Sequence, residues 1–121
     1  MTLRERLERL ASTKGVRSVA IASVDGLVVE VVGSGDADAD EVSGLIAGSL
    51  VSSRALAELF GDGELRQATI EYERGPVLLA PLGPPAEGHV AVMVLGDLAD
   101  VGRARLALRR TASDLAEATA A

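Results

Sequence analysis

The stretch GLIAGSLVSSRALAELF, residues 44–60, decides how the rest of the chain must be arranged. From Val42 to Ser53 there is no charged residue. A surface helix ordinarily shows one apolar stripe and one wet face. At about 3.6 residues per turn, Val42, Leu45, Ile46, Leu50, Leu56, Ala57 and Phe60 form the expected core stripe. The opposite face reads Gly44, Ala47, Gly48, Val51, Ser52 and Ala55, small and dry, with only Arg54 and Glu58 to wet it. A helix apolar all round must be covered all round. Something has to pack on that second face.

The chain around it is short of candidates. Its 121 residues imply one domain, spanning about residues 3–118, with a core of its own. Upstream, Thr2 and Glu5 have the spacing of a capping box. Leu3, Leu7 and Leu10 then share a face, so a first helix is expected over about residues 3–13. GVRSVAIASVDGLVVEVV, residues 15–32, is two β-rich runs around Asp25-Gly26. That dipeptide predicts a hairpin with a type I′ turn, joining strands at about 16–23 and 27–32. Asp38 and Glu41 mark the start of the dry helix, and Gly61 its end.

Downstream, Ala68, Ile70 and Tyr72 alternate with Gln67, Thr69, Glu71 and Glu73, a half-wet third strand. The run PVLLAPLG is a fourth strand in which Pro81 must lie near an end or an edge. HVAVMVLG, apolar on both faces, is a central fifth strand. The closing segment is a helix with Val101, Ala104, Leu108, Ala112 and Leu115 inward. The order α-β-β-α-β-β-β-α predicts an α+β sandwich, a five-stranded, mostly antiparallel sheet with helices on both faces. Three helices on two faces leave one helix alone on its side.

Composition excludes several function classes. Without cysteine there is no disulfide framework, thiol nucleophile or zinc ribbon. No apolar run follows a basic start and none is of spanning length, so neither a signal peptide nor a membrane span is expected, and the location read from this is cytoplasmic. A net charge of −6, one tyrosine and one phenylalanine argue against nucleic acid as a partner. Arg103, Arg105, Arg109 and Arg110 on the last helix have two readings, a docking patch for an acidic partner or the wet face of an amphipathic helix, of which the second is favoured.

Catalytic and cofactor motifs are missing. His89, the only histidine, starts a strand without a Ser-His-Asp spacing or a G-x-S-x-G elbow, so it is assigned no role. Asp36, Asp38 and Asp40 imitate the start of a calcium loop, but Glu41 and Ala47 stand where its glycine and bidentate glutamate belong. Gly33-Ser-Gly35 and Gly61-Asp-Gly63 lack the remainder of any nucleotide-binding fingerprint. Asp62, Glu64, Glu71 and Glu73 show no spacing that selects a catalytic pair. No catalytic, cofactor-binding or metal site is expected.

The covering of the dry helix is then expected from another chain, a reading favoured over the alternative that its small residues are simply tolerated helix formers. Two mid-helix glycines each cost about 1 kcal/mol relative to alanine, which a close helix–helix approach across a two-fold axis would explain. The third strand is a second candidate contact if it lies at an edge.

With those features in place, the chain resembles the Roadblock/dynein light-chain domain family over about residues 3–118. The resemblance rests on Gly15-Val16, on Asp25-Gly26 followed by Leu27, and on the alanine- and glycine-bearing second helix. The segment LIAGS…ALAELFG is most similar to bacterial polarity regulators of the MglB type. The resemblance implies a profilin-like fold and a homodimer whose second helices pack antiparallel and whose third strands join. It also implies docking of a small Ras-like GTPase on the helix platform, and faster GTP hydrolysis without an arginine finger. On this chain Ala47, Val51 and Ala55 match the partner-facing positions. Gly44, Gly48, Ser52 and Leu59, with Ile70 and Tyr72, match the seam between copies. The alternative is a structural dimerisation adaptor without nucleotide dependence, and a small-molecule sensor or enzyme of profilin-like shape is more distant.

Overall fold

The computed structural model describes residues 1–33, 39–61 and 63–121, with side chains of the long helix described from residue 46 onward. The elements run α1 (Leu3–Ala11), β1 (Val16–Ser23), β2 (Val28–Gly33), α2 (Ala39–Phe60), β3 (Ala68–Tyr72), β4 (Gly75–Pro81), β5 (His89–Leu95) and α3 (Val101–Ala120). A short 3-10 turn at Leu98–Asp100 precedes α3, where the sequence pattern reads as uninterrupted helix. Asp97 caps that turn by accepting from the Ala99 amide at 2.9 Å, so the chain changes direction before α3 begins.

The capping box forms as expected: the Glu5 amide donates to Thr2 Oγ1 at 3.1 Å, and the Thr2 amide donates back to the Glu5 carboxylate at 3.3 Å. The first hairpin differs from expectation in its turn. Gly26 has φ +92° but Asp25 does not have positive φ, so the turn is not type I′. The Gly26 amide donates to Ser23 O and the Ser23 amide to Leu27 O, which encloses the three residues Val24, Asp25 and Gly26. Asp25-Gly26 thus belongs to the longer kind of hairpin, with glycine in the left-handed position after the turn.

The five strands lie in the order β2-β1-β5-β4-β3, every adjacent pair antiparallel. β5 is central, as its apolar run requires, and Pro81 closes β4 at its end. β2 and β3 are the two edges.

Each face of the sheet carries an apolar core. On one face, Leu7 and Leu10 of α1 and Ala104, Leu108 and Leu115 of α3 pack with Val19, Ile21, Leu78 and Met93. On the other, α2 supplies Ile46 and Leu50 to a cluster with Ala22, Leu79, Val90 and Val92. Among the described residues α2 is the lone helix on its side.

Candidate interaction face on α2

Among the described side chains of α2, Ile46 and Leu50 seat it most firmly. Leu50 is 1% exposed and Ile46 nearly as buried, and one and two turns later Ser53 and Ala57 are half-buried on the same side. Leu56 and Phe60, expected in the core stripe, are 56% and 70% exposed. Position on the helix is the reason. Its 22 residues make a rod of about 33 Å, whereas strands of five to eight residues reach only about 17–26 Å. Ala57 is still half-buried, Phe60 lies beyond it on the helix end, and Leu56 stands about a third of a turn round from Leu50.

The outward side is dry over most of its width. Val51 is 65% exposed and Leu59 83%. Gly48, Ser52 and Ala55 are exposed between them, and Ala47 is half-buried. A Cβ added at Gly48 would meet nothing within 4 Å, so this glycine faces open space within the chain. Arg54 and Glu58 are confined to one flank, where they border a depression shared with Leu65 and the Pro81–Gly88 segment. The surroundings of Gly44, and Asp36, Asp38 and Asp62, lie outside the described residues.

On β3, Ile70 is half-buried against the α2-side cluster, while Tyr72 at the strand end stands exposed. Since β3 is an edge, its outer backbone groups have no strand beside them among the described residues. The opposite edge adds apolar surface that pattern reading misses: Leu27, Val29 and Val31 are all exposed on or beside β2.

The remaining polar features are local. His89 Nδ1 lies 3.3 Å from Ala86 O and only ties the β4–β5 connection together. Arg4 of α1 reaches Glu30 of β2 at 2.7 Å, an exposed pair of small energetic weight. No cluster of three potential metal ligands occurs among the described residues, and none of their helices is long and apolar enough to cross a membrane.

An antiparallel five-stranded sheet with two helices on one face and a long, outward-dry helix on the other is a specific arrangement. Residues 2–95 match the Roadblock/LC7 domain. The chain belongs to the Roadblock/LC7 family. Two uncharacterized proteins of Methanocaldococcus jannaschii are each 28% identical over 109 residues, covering 90% of this chain and 92% of their own. Among solved structures, Myxococcus xanthus MglB superposes with a TM-score of 0.85 at 19% identity, over 95% of this chain and 92% of that one. The gliding protein mglB of Thermus thermophilus gives 0.84 at 24% identity, over 95% and 86%. At such identities the likeness is one of fold, and this chain has the Roadblock fold with α2, among the described residues, alone on its face.

Proposed function

We propose that this Roadblock chain is a homodimeric regulator, without an active site of its own, that binds a small Ras-like GTPase through α2. In this reading residues 3–118 act as one domain in the cytoplasm. Ala47, Val51 and Ala55 meet the GTPase. Gly44, Gly48, Ser52 and Leu59 on α2, with Ile70 and Tyr72 on β3, form the seam between copies. The chain promotes GTP hydrolysis by holding the GTPase's own switch segments in place and donates no arginine finger.

The observation that carries this reading is the uncharged, exposed strip along α2 from Gly48 to Leu59. Contiguous apolar surface of this kind is a liability on a monomer and a resource at an interface. An edge strand beside it offers backbone pairing to the same partner copy. Family membership and the MglB-like fold add their weight to a regulatory role.

The test is retention of GTPases from the native cytosol on the immobilised protein, with the GTPases loaded with GDP or a non-hydrolysable GTP analogue. A small GTPase held in the GTP form, and released by Val51→Arg, is the expected result. Retention of other proteins regardless of nucleotide would instead make the chain a structural adaptor.

A further inference from the structure

A basic feature of the chain lies on the opposite face of the sheet from most of α2's dry strip. A cleft of 990 Å³ opens between α3, the Gly63–Gln67 segment leading into β3, and the end of β4. Its floor is apolar, made by Ala80, Pro81, Leu108 and Ala112. Its walls carry Arg66 on one side and Arg105 and Arg109 on the other, and among the described residues Glu64 is the one carboxylate that lines it. Arg105 Nε donates to Gln67 Oε1 at 3.2 Å across the cleft, and none of the three guanidinium groups has an ion-pair partner among the described residues. In a chain of net charge −6, three arginines without an ion-pair partner among the described residues, gathered around one apolar trough, are out of character.

The four arginines of α3 therefore divide. Arg105 and Arg109, one turn apart, line the cleft. Arg103 and Arg110 point elsewhere, Arg103 pairing with Asp100 at 3.7 Å.

We propose that this cleft is a docking site for an extended acidic peptide segment of a partner protein, one that alternates carboxylate and apolar side chains. Successive side chains of an extended peptide point to opposite sides, so one set reaches the arginines and the other the floor. Guanidinium groups suit this role because each can grip a carboxylate with two parallel hydrogen bonds. A small phosphate-like anion fits less well. The cleft meets α3 in its middle, where no free helix N–H groups are available to cradle phosphate oxygens. Nucleic acid fits least, because no aromatic side chain lines the cleft to stack a base.

The test uses a fluorescein-labelled octapeptide of alternating aspartate and leucine, with an asparagine–leucine octapeptide as the neutral control and pyrophosphate as the small-anion probe. Fluorescence anisotropy on the intact protein is expected to show binding of the acidic peptide that weakens as salt rises. Arg105→Glu/Arg109→Glu should weaken it by about tenfold or more, as should Arg66→Glu from the opposite wall, while Arg103→Glu/Arg110→Glu changes it by less than about twofold. Circular dichroism of each variant establishes that the helices are intact. Equal binding of the neutral peptide, equal loss in the Arg103/Arg110 variant, or displacement by stoichiometric pyrophosphate each overturns the proposal. Val51→Arg should leave peptide binding unchanged, so this site stands or fails independently of the GTPase reading.

Discussion

Gly15 packs against Asp100 with no room between them: a Cβ at residue 15 would fall 2.6 Å from Asp100 Cβ and closer still to its carboxylate. Gly15 also has φ +88°, and its carbonyl accepts from the Gly96 amide at 2.9 Å. The turn into β1 and the turn out of β5 are thus held together at one point. Gly15→Ala combines a left-handed backbone costing about 1–2 kcal/mol with a steric collision. The expected result is a loss of at least about 2 kcal/mol, read as a lower urea midpoint with an unchanged slope.

Leu50 and Leu59 lie on one helix but should respond to truncation very differently. Leu50→Ala empties a fully buried position and is expected to cost about 2–5 kcal/mol of stability. Leu59→Ala, at the exposed end of the helix, should change monomer stability by less than about 0.5 kcal/mol. Leu59→Asp should, in addition, shift sedimentation equilibrium toward the monomer. A dimer unaffected by that charge would take Leu59 out of the seam.

Gly48→Ala separates the needs of the helix from those of assembly. Within the chain the added methyl meets open space and favours the helix by about 1 kcal/mol. Between two closely approaching helices it is an obstruction. The variant should therefore be at least as helical as the parent when dilute, yet dissociate at concentrations about tenfold higher. A dissociation constant identical to the parent's would assign Gly48 no place between copies.

At the N-terminus, the Glu5 carboxyl lies below its ordinary value because the Thr2 amide and then the Thr2 hydroxyl donate to its charged form. Because the folded value is the depressed one, the contribution to α1 is complete above the ordinary carboxylate range. It is lost as pH falls through the lowered value. Thr2→Ala removes the hydroxyl and should move the Glu5 titration, followed by carboxyl NMR, upward toward 4.5.

The parts of this molecule legible in sequence are those where one local rule acts alone. β5 is apolar on both faces and occupies the sheet centre, and Thr2 and Glu5 close their box as spaced. Periodicity misplaces Phe60 because it reports the direction of a side chain and is silent on whether anything lies beneath it. It misplaces Leu56 because a stripe that wide reaches about a third of a turn round from Leu50. Asp25-Gly26 signals a hairpin correctly but not its turn, since the same glycine serves turns of two lengths. The cleft is invisible in sequence: Arg66 and Arg105 are far apart in the chain, and only the approach of the Gly63–Gln67 segment to α3 makes them neighbours.

The strand order has a kinetic consequence. β1–β2, β3–β4 and β4–β5 are joined by near neighbours in sequence, but the central seam pairs Ala20 with Val92. Closing it must overcome the entropy of a loop that contains α2, β3 and β4 in full. Topologies dominated by such distant pairings fold slowly. Zipping β1 onto β5 is therefore the costliest of the four strand pairings in loop entropy, and until it closes the long helix has no complete sheet on which to settle.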